Sequence, residues 1–125
     1  MARPALWSAF ALMAMAAAGS ARAEGDVAHG EQVFALCSGC HVLSGESYAG
    51  PALAGVVGRR AGIAHGFEYS KAMQSSGIVW SEQALDRFLA DPGKAVPGTS
   101  MPISVPDAKD RADVIAYLKS VPAAP

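Results

Sequence analysis

The sequence predicts an all-α domain of short helices and long loops wrapped around one large apolar ligand. Three observations carry this. Near both ends of the chain, apolar or small residues recur at helical spacing, at Gly30, Val33, Phe34 and Cys37 and again at Val114, Tyr117, Leu118 and Val121. Between them, residues 44 to 66 hold six glycines, one proline and no strand alternation. A loop that long is unusual in a compact domain unless it surrounds something. Finally, two cysteines and a histidine stand together as Cys37-Ser38-Gly39-Cys40-His41.

The chain begins with a different composition. Arg3 precedes an apolar run from Ala5 through Ala18, and Ala21-Arg22-Ala23 has the small-x-small form of a cleavage site. Residues 1–23 therefore read as a signal peptide, cut after Ala23, that sends the protein to the periplasm. The run is short for a membrane span, and a retained anchor is the alternative. The mature chain, residues 24–125, is one small domain with no internal boundary. Its apolar core alone is marginal at this size, so a bound apolar group would complete it. Ten basic residues become eight without the leader, against eleven acidic ones, a formal net charge of −3. With that sign and no basic stripe, nucleic acid is excluded as a partner.

Taken in order, residues 25 to 41 read as the first helix, capped by Asp26. Gly30 inside it implies close approach of another helix. The expected partner is the last helix, Asp107 to Val121, ended by Pro122 and crossing the first at Gly30 and Phe34. Leu53, Val56 and Val57 are the apolar side chains of the long loop expected to face inward. Ser70 to Ser76 forms a short helix capped by Ser70 and stopped at Gly77. Ser81 caps a clearer one, with Ala84, Leu85, Phe88 and Leu89 on one face and Asp91-Pro92 closing it.

The cysteine pair carries the chemistry. Two thiols on one helical turn can add to the vinyl groups of a porphyrin, and the histidine that follows sits under the iron, so the motif reads as covalent attachment of one haem c through Cys37 and Cys40. The alternatives are a redox CxxC, which needs a βαβ context, and a zinc site, which needs four ligands where only His29 and His65 remain. A disulfide between the two cysteines would exclude haem. His41 is the proximal ligand on this reading. For the other axial position, His29 and His65 read as surface residues, and Met73 reads as core filler on a helix. Met101 lies in Pro97-Gly98-Thr99-Ser100-Met101-Pro102, a stretch pinned by prolines, and is the expected thioether ligand.

These motifs together make the chain resemble the class I c-type cytochromes over nearly all of its mature length. The resemblance runs through Gly30 and Phe34, Cys37 to His41, Gly50-Pro51, Gly58-Arg59, Gly66-Phe67-x-Tyr69-Ser70, Gly77-Ile78-x-Trp80, Leu85-x-x-Phe88-Leu89, Pro92, Pro97-Gly98-Thr99-x-Met101 and Ala112 to Leu118. It implies the cytochrome c fold, with terminal helices crossing beside the haem. It implies that Pro51 offers its carbonyl to His41, that Arg59, Tyr69 and Trp80 surround one haem propionate, and that Thr99 lies near the other. Phe88 and Met73 stand where mitochondrial members often have tyrosine and asparagine. Ser100 and Gly93 replace lysines of the docking face, leaving Lys94 as the nearest cation, so steering by charge is expected to be weak.

The expected function is one-electron transfer by a monomer that is not an enzyme, because an iron held by His41 and Met101 has no place for substrate. The resemblance implies redox partners such as a cytochrome bc complex, a terminal oxidase or a dehydrogenase, with no stable membrane insertion after the leader is removed. The alternatives are a dedicated electron-accepting subunit of a periplasmic dehydrogenase, and a gas-binding or peroxidatic haem protein with an open distal site.

Overall fold

The computed structural model describes residues 1–2 and 24–124. The expected leader's apolar run and the cleavage point after Ala23 lie outside the described residues. Among the described residues, five helices follow in order: α1 (Val27–Phe34), α2 (Lys71–Gln74), α3 (Glu82–Ala90), α4 (Pro92–Ala95) and α5 (Ala108–Ser120). Among the described residues there are no strands, only an isolated bridge between Arg60 and Val79, and no helix is long and apolar enough to cross a membrane. The all-α expectation holds.

Each cap is a short polar side chain accepting a bond from a backbone N–H that the first turn leaves free. Asp26 accepts from His29, Ser70 from Met73, Ser81 from Ala84 and Asp107 from Asp110, at 2.9–3.1 Å. Asp91 both ends α3 and caps α4, accepting from the Lys94 N–H at 3.1 Å. The sequence reading took Asp91-Pro92 only as a stop; it is also a start, because proline at the first helical position sacrifices an N–H with no partner there.

The first helix is shorter than its periodicity predicts. α1 ends at Phe34, and the chain continues to Cys40 as turns, with Leu36 donating to Val33 and Cys37 to Phe34. The reason lies in Ser38-Gly39. The Ser38 hydroxyl donates to the Ala35 carbonyl at 2.9 Å, competing with the helical ladder, and glycine stabilises it poorly.

α1 and α5 cross where expected. A Cβ on Gly30 would overlap the backbone carbonyl of Asp113 and lie 2.9 Å from the Tyr117 Cβ, so the two backbones touch there. The Phe34 and Tyr117 rings pack at 5.6 Å beside it. Asp113, a charged residue between the apolar positions of α5, is nonetheless 2% exposed. Its carboxylate accepts from the Asp26 N–H and the Lys109 ammonium and contacts His29 Nδ1 at 2.7 Å, which satisfies a charge that burial alone would penalise.

The long loop is tied down rather than free. Leu53 donates to Val42, Ala54 to Leu43, Gly55 to Val121 and Gly58 to Trp80, all at 2.7–3.0 Å. Gly58 has φ +88°, a left-handed conformation that glycine adopts without strain. Val56 is 3% exposed, and Leu53 and Val57 pack half-buried against the core. The core runs from Val33 and Phe34 through Trp80, Leu85, Phe88 and Leu89 to Val114, Ile115 and Leu118.

Candidate functional site

A cleft opens between these loops and the α3–α5 core. Its volume is about 1170 Å³, part of it continuous with solvent, and its walls are mostly apolar. Every residue assigned to the site from sequence lines it: Cys37, Cys40, His41, Pro51, Arg59, Tyr69, Trp80, Thr99 and Met101. The turns after α1 bring the two cysteines and the histidine there together. Cys40 N–H donates to the Cys37 carbonyl at 3.0 Å and His41 N–H to the same oxygen at 2.9 Å, one tight turn holding all three. Both thiols are free. Burial, and secondarily the neighbouring Cys40, push the Cys37 thiol above its ordinary pKa.

The imidazole of His41 is held from behind. Its Nδ1 lies 2.8 Å from the Pro51 carbonyl oxygen, and since a carbonyl can only accept, Nδ1 carries the proton. That tautomer leaves Nε2 with its lone pair free. Such a bond orients a metal-binding ring and raises its donor strength. Gly50 packs on the ring: a Cβ there would overlap Cε1 and lie 2.7 Å from Nδ1. Its N–H donates to the Cys40 carbonyl at 2.8 Å, drawing the loop across the histidine. Only absence of a side chain permits this approach, a demand the Gly50-Pro51 pair contains but periodicity cannot show.

The other walls come from further along the chain. Arg59 reaches back to the carbonyls of Ala52 at 3.1 Å and Ala54 at 3.5 Å. Tyr69 meets Phe67 edge to face at 4.9 Å, and Trp80 lies 5.0 Å from Phe88. Thr99 Oγ1 accepts from the Met101 N–H at 3.4 Å, bracing the stretch that presents the thioether. Met101 is half-buried, whereas Met73 is buried on α2, yet both line the cleft. His29 is engaged with Asp113 at the helix crossing and His65 is exposed; neither lines the cleft. Sequence reasoning did not assign Phe67, Leu89, Val114 or Leu118 to this wall. Apolar residues on helices read as core, and here the core and the cleft wall are one surface.

The donor set fits a tethered porphyrin. Two free thiols at one end, an imidazole with a free Nε2 and a thioether stand in a mostly apolar cleft.

Comparison with known proteins agrees with the geometry. The family described as "Cytochrome c" matches residues 27–122. The cytochrome c of Tetrahymena pyriformis is 53% identical over 100 residues, covering 78% of this chain and 91% of its own. Cytochrome c2 of Rhodomicrobium vannielii is 46% identical over 102 residues, covering 79% and 82%. Among solved structures, cytochrome cH from Methylobacterium extorquens superposes with a TM-score of 0.74 at 46% identity, covering 77% of this chain and 99% of its own. The chain belongs to the cytochrome c family: it is an electron carrier, and Cys37 and Cys40 hold its covalent haem c.

Proposed function

We propose that the protein is exported by residues 1–23, cut after Ala23, and works in the periplasm as a one-electron carrier whose iron is held by His41 and Met101. The observation that carries this is the bond from His41 Nδ1 to the Pro51 carbonyl at 2.8 Å. It frees Nε2 in a cleft where the Met101 thioether also stands. Met101 is favoured over Met73 because a loop braced by Thr99 and flanked by Pro97 and Pro102 presents its side chain to the cleft, whereas Met73 packs from α2 as part of the core.

The haem supplies a one-electron couple between ferric and ferrous iron, and the soft thioether favours the reduced state. The protein's part is to clamp, to exclude water and to manage charge. Phe67, Trp80, Leu85, Phe88 and Leu89 give the cleft a low-dielectric wall. Arg59, Tyr69 and Trp80 would supply donors that offset the burial of one propionate, and the Thr99 hydroxyl would serve the other. With His41 and Met101 both holding the iron, no place would be left on it for a substrate. The same reading carries redox protein partners, a cytochrome bc complex, a terminal oxidase or a dehydrogenase, in keeping with the cytochrome c2 relatives.

Expression with haem-maturation machinery tests the whole. The exported product is expected to have the mass of Glu24–Pro125 plus one haem and a low-spin reduced spectrum. Met101→Ala is expected to lower the potential and admit carbon monoxide to the ferrous iron, whereas Met73→Leu keeps both near wild type. A Met101→Ala protein with wild-type spectrum and potential overturns the ligand assignment.

A further inference from the structure

Taking His41 as the iron's ligand, on which the inference rests, we propose that Ser47 is a positioning residue for that ligand. Its hydroxyl grips the peptide unit that holds the His41 ring, and so sets how strongly the ring donates to the iron. The unit joins Pro51 to Ala52. Its carbonyl oxygen accepts from His41 Nδ1 at 2.8 Å, and its N–H donates to Ser47 Oγ at 3.2 Å. The C=O and N–H of a trans peptide point in opposite directions from one rigid plane, and no peptide bond among the described residues is cis. Ring and hydroxyl therefore hold that plane from its two sides. Ser47 itself is half-buried, between exposed neighbours at Glu46 and Tyr48.

Little else fixes the plane. Proline has no N–H to give, so the backbone donors on either side of it are those of Gly50 and Ala52. Gly50 N–H is committed to the Cys40 carbonyl, and Leu53 N–H to that of Val42. Arg59 takes the carbonyl of Ala52, which belongs to the next peptide unit. These bonds place the loop, but the Ser47 bond acts on the same amide as the His41 bond. Bonds at the two ends of one amide reinforce each other. Donation from the N–H draws electron density onto the carbonyl oxygen, which then accepts more strongly, by about 10–30% per bond. The stronger pull on the Nδ1 proton makes Nε2 a better donor. A better donor stabilises ferric iron, the more highly charged state, over ferrous iron, so the Ser47 hydroxyl holds the potential down.

Potential and ring-proton measurements on the mature haem-loaded protein test this. In Ser47→Ala the ferrous-to-ferric ratio at a fixed applied potential is expected to grow about two- to threefold, a positive shift of roughly 20–30 mV at 59 mV per tenfold. In the same variant, reduced, the His41 Nδ1–H resonance is expected to move upfield as its bond to the Pro51 carbonyl weakens. Ser47→Thr keeps the hydroxyl and is expected to return both to their wild-type values. A serine that merely ties the loop down would lower the melting temperature of Ser47→Ala and leave the ring proton and the potential in place; that result overturns the proposal. A Ser47→Thr protein that matches Ser47→Ala overturns it equally. Whether or not Ser47→Ala matures with haem, amide exchange in the wild type reads the Ser47 bond directly. The Ala52 amide is expected to exchange at least about tenfold more slowly than that of exposed Ala49, and equal rates overturn the proposal. Failure of the underlying reading shows separately, as ferric wild-type protein whose His41 ring protons lack the paramagnetic shift of an iron ligand.

Discussion

The two sides of the molecule are held together by different means. At the α1–α5 crossing, protein meets protein: Gly30 lets the backbones touch, Phe34 packs on Tyr117, and the buried carboxylate of Asp113 is satisfied by Asp26, His29 and Lys109. Across the cleft, the loop around residues 41–60 bonds to its own backbone and to Trp80 and Val121, and the stretch 96–103 bonds only locally, while the inward side chains of both line the cleft. The helical side can form on its own chemistry. The loop side has a core only when the haem supplies it, which is why a chain of this size tolerates so much loop.

The largest expected effect breaks that division directly. Cys37→Ala with Cys40→Ala removes the tether, and the product is expected to lack covalent haem. Without it the loop side should lose cooperative tertiary structure, read as collapse of near-ultraviolet circular dichroism, while part of the helical signal of α1 and α5 survives. If the variant unfolds as sharply as the wild type and at the same temperature, the two sides are not held differently and the comparison fails.

The next effect belongs to the helical side. Replacing Gly30 by alanine improves helix propensity by about 1 kcal/mol. The added methyl, however, overlaps the Asp113 carbonyl, a backbone atom that cannot step aside. Overpacking of this kind costs about 1–3 kcal/mol, so the sign is set by the clash. Gly30→Ala is expected to destabilise the folded protein by up to about 2 kcal/mol in denaturant titration.

Asp113 sharpens the comparison through pH. Its hydrogen bond from Lys109, then that from the Asp26 N–H, hold its pKa near 2, below the ordinary 3.8, with His29 adding a smaller pull and burial opposing them. A carboxylate with a depressed folded-state pKa stabilises the fold above its unfolded pKa, and that contribution disappears as pH falls through the folded value. Lys109 is the mirror case: its raised pKa stabilises below the ordinary lysine range, and the benefit is lost only as pH rises beyond it. Asp113→Asn is therefore expected to be less stable than wild type at neutral pH. The gap should narrow between pH 4 and pH 2 in acid unfolding followed by helical circular dichroism. A gap that stays constant through that window rules out the carboxylate as its cause.

The parts legible in the sequence were those with local causes. Each expected cap at Asp26, Ser70 and Ser81 forms because capping needs only a short polar side chain and the next turn, and Asp107, read as the first residue of the last helix, caps it in the same way. The crossing at Gly30 was legible because a glycine inside a helix needs a reason. What escaped depended on what lies across space. The end of α1 at Phe34 is decided by Ser38 bonding backwards, a competition invisible to periodicity. Asp113 looked like one more polar residue on α5 until α1 closed over it. The nine residues expected at the site all line one cleft, but the sequence could not say that Gly50 packs against the His41 ring, because that depends on how the loop folds back.

The smallest expected effect separates two ion pairs that look alike in sequence, both joining α3 to α5. Arg111 donates to Asp86 at 2.8 Å and also to the carbonyls of Val105 and Pro106, with its side chain only 14% exposed. It therefore fastens the segment that follows the Met101 loop to the helical side. Lys119 meets Glu82 at 3.2 Å with both side chains more than half exposed, so water and salt screen the attraction and side-chain entropy opposes it. Lys119→Ala is expected to change unfolding free energy by less than about 0.5 kcal/mol and to leave the redox potential where it was. A larger loss would mean that this corner of the helical side, like the loop side, depends on contacts at its surface rather than on the packing of α3 against α5.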